Sequence, residues 1–208
     1  MTTIVVMAKT PVPGAVKTRL CPPCTPEQAA TLAAAALADT LSAVDATACD
    51  RRMLALEGAP GPWVPPGWTV VAQTTGGLGA RLDAAVVAID GPALVVGMDT
   101  PQLTPELLER AWAQLLAPGT DAVLGPADDG GYWAIGVRAP RGGLFDDVEM
   151  STAHTGAQQR ARLRVLGLTV TELEGLRDVD TFADALEVAD RAPSSRFARQ
   201  LASTFVAA

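Results

Sequence analysis

Short apolar runs, each stopped by glycine, proline or a charged residue, alternate with helix-length stretches along the whole chain. The runs are Thr3–Ala8, Arg52–Leu56, Trp68–Ala72, Pro92–Gly97, Asp121–Leu124, Tyr132–Val137 and Thr169–Leu173. They are too short for helices, and several are rich in valine, isoleucine and leucine, so they read as buried strands. Between them the spacing predicts helices over Pro26–Val44, Leu78–Ile89, from Thr104 to about Leu116, over Ala157–Leu166, and from Thr181 and Ser194 onward. Thr25 stands as N-cap of the first, with Glu27 and Gln28 in its opening turn. Gly58–Gly67, rich in proline and glycine, is a loop. This alternation implies an α/β fold, a mostly parallel sheet with helices on both faces, in a single domain over residues 1–208. Ligands in such folds bind beyond the carboxyl ends of the strands.

Composition narrows the partners. Half of the residues are apolar (49%), enough for a sizeable core, while the net charge of −7 argues against a nucleic-acid surface or an anionic membrane. A small anionic ligand held by a local basic loop is compatible with that charge. The first apolar run meets Lys9 after about six residues, too short for a signal core or a membrane span. The alanine-rich run Ala29–Ala38 contains Thr31 and sits in an amphipathic pattern. A soluble cytoplasmic protein is expected. The odd cysteine count, 3, fits a reducing compartment. Cys21 and Cys24 have redox or zinc spacing, but only Cys49 and His154 remain to complete a zinc site, so the pair reads as incidental loop thiols.

The chain has two lysines, Lys9 and Lys17, and both lie in Lys9-Thr-Pro-Val-Pro-Gly14-Ala-Val-Lys17-Thr-Arg19. The first acidic residue is Glu27, so an acidic protein opens with a purely cationic segment. Strand, glycine-containing cationic loop, then helix is a layout suited to phosphate. Lysine supplies a compact charge and Arg19 can bind two oxygens at once. Phosphate binding outweighs the alternative of a solvated basic loop.

Four further segments fall at strand ends. In Gly97-Met-Asp99-Thr-Pro101 a carboxylate stands where a buried strand stops, suited to magnesium, which takes one or two protein carboxylates; a turn or capping aspartate is the alternative. In Asp178-Val-Asp180-Thr181, Asp180 is either a second metal ligand or the N-cap of the following helix, and local spacing favours the cap. Gln73-Thr-Thr-Gly76-Gly77-Leu-Gly79-Ala-Arg81 joins a strand to a helix; its glycines allow close backbone approach and the Gln73 amide can pair with a nucleobase edge. Gly125-Pro-Ala-Asp128-Asp129-Gly130-Gly131-Tyr132-Trp133 contains a hairpin-turn signal, Asp129-Gly130, that can also present an acceptor-binding loop. His154, the one histidine, reads as a surface residue, and the tryptophans read as packing residues.

Together these segments resemble the nucleotide-diphospho-sugar transferase superfamily with the Rossmann-like GT-A fold. Within it they are most similar to a small bacterial group of radical-SAM/selenodomain-associated transferases, which is similar in turn to 2-phospho-L-lactate guanylyltransferase and molybdenum-cofactor nucleotidyltransferases. The resemblance rests on Met7-Ala-Lys9 through Arg19-Leu, Gly97-x-Asp99-x-Pro101-x-Leu103, Gly125-Pro-Ala-x-Asp129-Gly-Gly-Tyr132 and Asp178-Val-Asp180-Thr181. It implies that Lys9, Lys17 and Arg19, with Ala8 and Gly14, hold a triphosphate. Gln73, Gly79 and Arg81 lie near base or ribose. Asp99 and Asp180 share Mg2+ or Mn2+, and Asp128, Asp129, Gly130, Gly131 and Tyr132 face the acceptor. Pro11 and Pro13 stiffen the first loop where nucleotidyltransferases usually have more glycine.

The reading that follows is a magnesium-dependent nucleotidyltransferase that joins a nucleoside monophosphate from a nucleoside triphosphate to a small phosphorylated acceptor. A glycosyltransferase using a nucleotide sugar and a non-catalytic nucleotide-binding module are the alternatives. Base, acceptor and oligomeric state are left open, an oligomer being compatible.

Overall fold

The expected strands assemble into one sheet in the computed structural model, which describes residues 1–206. The strands are β1 (Thr3–Lys9), β2 (Arg51–Glu57), β3 (Thr69–Ala72), β4 (Ala93–Gly97), β5 (Ala122–Pro126), β6 (Tyr132–Val137) and β7 (Val170–Glu172). Their order across the 7-stranded sheet is β3-β2-β1-β4-β6-β5-β7. Every neighbouring pair is parallel except those made by β6, which runs antiparallel to both β4 and β5.

The reversal comes from the Asp129-Gly130 turn. Gly130 has φ +89°, and a Cβ there would come within 2.1 Å of the Ala153 carbonyl oxygen, so only glycine fits. The Asp129 carboxylate accepts from the Gly131 N–H at 2.7 Å and closes the turn. Because β6 inserts between β4 and β5, its first residue, Tyr132, reaches the same sheet edge as the carboxyl ends of β1 and β4.

Helices cover both faces, as the strand pattern requires. Alternate strand residues point to opposite sides: Ile4, Val6, Leu94 and Val96 pack toward α1 (Pro26–Ala46) and α3 (Pro105–Leu116), whereas Val5, Met7, Val95 and Ile135 pack toward α2 (Leu78–Val87) and α4 (Thr155–Val165). A third cluster joins α1 to α5 (Phe182–Arg191) and α6 (Arg196–Val206) through Leu32, Ala36, Val188, Phe197 and Leu201. Helix α1 is long and apolar enough by composition to cross a membrane, but Leu32, Leu37 and Leu41 are buried against the sheet and α6.

Start signals act where the sequence puts them. Thr25 forms a capping box with Gln28, and Thr104 caps α3 by accepting from Leu107 N–H. The observed ends differ from expectation by a residue or two: β1 runs on to Lys9, α1 to Ala46, and α4 begins at Thr155 rather than Ala157.

Candidate active site

A cleft of about 550 Å³ opens at the carboxyl ends of β1 and β4 and the start of β6. The chain leaves β1 at the strand flanked by both β2 and β4, and Pro11 and Pro13 offer no N–H to extend the ladder. Gly14 turns the loop at φ +76°, and Lys17 holds a left-handed backbone at φ 49°. A 3₁₀ turn over Thr18–Leu20 then buries Leu20 and delivers the chain to α1.

This backbone turns Lys17 inward, with its side chain 11% exposed. Its ammonium donates to Asp99 Oδ1 at 2.9 Å and to the Val179 carbonyl. The Val179 N–H in turn donates to the Asp99 carbonyl at 2.9 Å. Three loops, after β1, after β4 and before α5, are therefore joined through one lysine. Arg19 pairs with Asp180 on the more open side of the same junction. Lys9 reaches Glu57 at 3.2 Å, and Arg81 binds the same carboxylate. Burial pushes the Glu57 carboxyl up, but hydrogen bonds and charge from Lys9 and Arg81 outweigh it and leave the group below its ordinary range.

Asp178 behaves in the opposite way. Burial pushes its pKa up to about 6; the neighbouring Asp129 carboxylate adds to the rise, its own backbone N–H and Lys17 oppose it, and Asp99 adds to it again. Asp99, Asp129 and Asp178 thus share the centre of the cleft, with the Asp178 carboxylate disfavoured chiefly by burial. The sequence reading pairs Asp180 with Asp99 as metal ligands. Here Asp180 faces Arg19, while the carboxyl coupled to Asp99 is Asp178. Nor is Asp180 the N-cap of α5: Thr181 takes that role, forming a capping box with Asp184, which leaves Asp180 free to line the cleft. Asp178 was legible as part of the Asp-Val-Asp motif; its burial was not.

The remaining predicted residues divide. Ala8, Lys9, Lys17, Arg19, Gln73, Arg81, Asp99, Asp129, Gly131, Tyr132 and Asp180 line the cleft; Gly14, Gly79, Asp128 and Gly130 do not. Gly14 lies in the outer loop with open space beside it, and Gly79 packs under Phe145 and Met150. Asp128 turns away to Arg177 at 3.0 Å. The Gln73 amide, expected to meet a base edge, donates instead to the Ala8 and Ala55 carbonyls, both at 2.9 Å, and its oxygen accepts from Arg81 at 3.0 Å. It fastens the ends of β1 and β2 and orients Arg81, because backbone carbonyls left bare at a buried strand end need donors.

One wall escaped the sequence reading. Met150, Ser151, Thr152 and Thr155 line the side of the cleft nearest Tyr132. Ser151 sits at φ 62°, and Thr155 Oγ1 donates to the Glu149 carbonyl at 2.8 Å and accepts from Thr152 N–H at 3.0 Å. These bonds are local turn chemistry at a helix start, and no spacing rule tied them to a site formed by distant strands. Trp133, which also lines the cleft, packs on Gly125, where a Cβ would lie 2.5 Å from the ring.

Comparison with known proteins agrees with this architecture. Residues 28–152 match the family described as uncharacterized protein conserved in bacteria, DUF2064. The chain is 32% identical over 176 residues, 83% of its length and 79% of the other protein, to a 2-phospho-L-lactate guanylyltransferase of Halomicrobium mukohataei. Among solved structures it is similar to a protein of Desulfovibrio desulfuricans G20 assigned by name to the nucleotide-diphospho-sugar transferases, with TM-score 0.84, 27% identity, and coverage of 97% of this chain and 94% of that one. It also shares its fold with Rv0371C of Mycobacterium tuberculosis H37Rv, solved as a manganese complex, with TM-score 0.52, 22% identity, and coverage of 91% and 98%. The chain belongs to the DUF2064 family and carries the fold of the nucleotide-dependent transferases.

Proposed function

We propose that the protein is a nucleotidyltransferase that uses a divalent cation, Mg2+ or Mn2+, to transfer a nucleoside monophosphate from a nucleoside triphosphate to a small phosphorylated acceptor. The observation that carries this reading is the convergence of Lys9, Lys17, Arg19 and Arg81 with Asp99, Asp178 and Asp180 on one cleft at the β1–β4 edge. The guanylyltransferase relative supports the reaction class, and the manganese complex of the mycobacterial neighbour supports the metal.

Asp99, Asp178 and Asp180 line one cleft with oxygen ligands of the kind a divalent cation takes, although among the described residues no group of three or more ligating side chains is already gathered. Burial, and after it the neighbouring carboxylates, raise the pKa of Asp178 to about 6, so its charged form is poorly solvated and gains from an added cation. Asp99 and Asp178 would hold the ion, with Asp180 beside them. A bound ion there supplies charge neutralisation of phosphate oxygens and of the departing pyrophosphate. The protein's own part is positioning. Lys9 and Arg81 neutralise the outer phosphates on the β2 side, and Arg19 takes two oxygens at the mouth. Lys17, fixed by the Val179 carbonyl, stands where charge develops on the leaving group. An acceptor phosphate is already anionic near neutral pH, so attack on the α-phosphate requires no general base.

The test is pyrophosphate release from each of the four ribonucleoside triphosphates with a panel of phosphorylated acceptors, with and without Mg2+. Metal-dependent release with one base is expected; binding of every triphosphate without turnover would leave a nucleotide-binding module. A second reading, glycosyl transfer from a nucleotide sugar, is favoured by one observation: Asp178, with a pKa near 6 and coupled to Asp129, is suited to accept a proton from a hydroxyl acceptor. Transfer from a nucleotide sugar with no pyrophosphate release would select it.

A further inference from the structure

Charge is divided unequally along the cleft. All four cations that line it, Lys9, Lys17, Arg19 and Arg81, belong to the β1 loop or to α2. The opposite end, between Tyr132 and the start of α4, has hydroxyls and one thioether: Ser151, Thr152, Thr155, Tyr132 and Met150. Its one charged neighbour is Asp129, an anion. The floor beneath is apolar, formed by Met7, Val95 and Ile135 of the sheet together with Leu82 of α2.

Nearby arginines are held elsewhere. Arg177 binds Asp128, Asp184 and Glu187, Arg160 binds Glu172, and Arg162 binds the Gly143 carbonyl and Asp146. Two N–H groups at the start of α4 are likewise taken: the Thr155 N–H donates to the Thr152 carbonyl at 3.1 Å and the Gly156 N–H to the Gly130 carbonyl at 2.8 Å. The hydroxyls at this end divide: Thr155 and Thr152 are engaged in their own turn, whereas Ser151 and Tyr132 keep capacity for a ligand. Ser151 Oγ has no partner among the described residues, and Tyr132 OH makes only long contacts, 3.4 Å to Gln159 Oε1 and 3.8 Å to Met150 Sδ.

We propose that the acceptor is the phosphate ester of an uncharged, hydroxyl-bearing molecule with a partly apolar body, and that a second anionic group on its tail is rejected. The inference rests on the nucleotidyl-transfer reading, in which the acceptor phosphate meets Lys17, the one cation that borders the central carboxylates, and its tail extends toward Tyr132 and α4. A carboxylate on that tail would lose water, find no cation and face Asp129, which is costly. A hydroxyl would find Ser151 and Tyr132, and carbon would cover the apolar floor. Chemically, the reaction supplying such a substrate is phosphorylation of a neutral alcohol.

A matched pair of acceptors tests this: 2-phospho-L-lactate, and 1,2-propanediol 2-phosphate of the same handedness, in which CH2OH replaces the carboxylate. Both are assayed for kcat/KM by pyrophosphate release with the wild-type protein, its preferred triphosphate and Mg2+. The neutral-tail ester is expected to be favoured by about ten-fold or more. Ser151→Lys, which keeps a non-glycine residue at the same backbone angle, is expected to move the ratio toward phospholactate. Equal or better use of phospholactate by the wild-type protein, with pyrophosphate released, overturns the acceptor assignment and leaves nucleotidyl transfer standing. Absence of pyrophosphate from either ester and from every other phosphorylated acceptor overturns both.

Discussion

The two ends of the cleft are built on different principles. At the end built on the β1 loop every cation already has a carboxylate: Lys9 and Arg81 share Glu57 on the β2 side, while Lys17 holds Asp99 and Arg19 holds Asp180 on the β4 side. At the β6–α4 end the cleft-lining groups are mainly neutral hydroxyls and carbon, and the strong ion pairs of Arg177 and Asp128 face outward. A triphosphate entering the first end therefore exchanges one anion for another around cations that stay fixed. An acceptor entering the second end meets the Ser151 and Tyr132 hydroxyls, whose hydrogen-bonding capacity is not fully spent. Preorganised charge suits a ligand that carries several charges and a reaction that develops more; a neutral, shaped wall suits discrimination among small molecules.

The largest effect should come from Lys17→Ala. It removes the ammonium that joins three loops, so turnover is expected to fall by roughly 10²-fold or more. Stabilisation by triphosphate in a thermal melt should vanish with it. Undiminished triphosphate stabilisation in this variant would show that the two ends do not differ as described. Asp99→Asn comes next: about 10²-fold less turnover, with the stimulation by Mg2+ lost. Activity that still rises with Mg2+ would assign the cation to Asp178 or Asp180 instead.

Asp178→Asn tests the acidic centre without any ligand. The folded-state pKa of Asp178 lies above its unfolded value, so the fold favours the protonated form. The cost of ionising it is absent below about pH 4, grows through about pH 6 and is complete above that. Removing the charge should stabilise the ligand-free protein at pH 7 by about 1–2 kcal/mol after solvent screening, raising Tm by a few degrees, about 2–4 °C per kcal/mol. Wild type and variant should converge at pH 4. Equal melting at pH 7 would mean that burial and the neighbouring carboxylates do not penalise the ionised Asp178. The smallest effect is expected from Thr181→Ala, about 1 kcal/mol of stability from the lost α5 cap with the triphosphate KM unchanged. A changed KM would tie the cap to the site through Asp180.

The same contrast explains what could be read from the sequence. The strands and helices were legible because short buried strands and capped helices are local: Thr25 and Thr104 cap where expected, and the Asp129-Gly130 turn reverses the chain as its composition dictates. The cationic end was legible too, since Lys9, Lys17 and Arg19 lie within one loop. Partner choice was not. That Thr181 and not Asp180 caps α5, that Gln73 binds the Ala8 and Ala55 carbonyls, and that Asp128 turns to Arg177 are decisions between nearly equal local options made by distant chain. The Met150–Thr155 wall was hidden for the same reason, because only the insertion of β6 between β4 and β5 brings Tyr132 to the site edge beside it.

The central claim, that the β1–β4 edge holds a triphosphate together with a divalent cation, is tested most directly by calorimetric titration of the wild-type protein with each ribonucleoside triphosphate, with and without Mg2+. Saturable binding of at least one triphosphate is expected, tightening when Mg2+ is present and lost in Lys17→Ala. Triphosphate binding that is indifferent to both Mg2+ and Lys17, or no binding by any of the four, would contradict it.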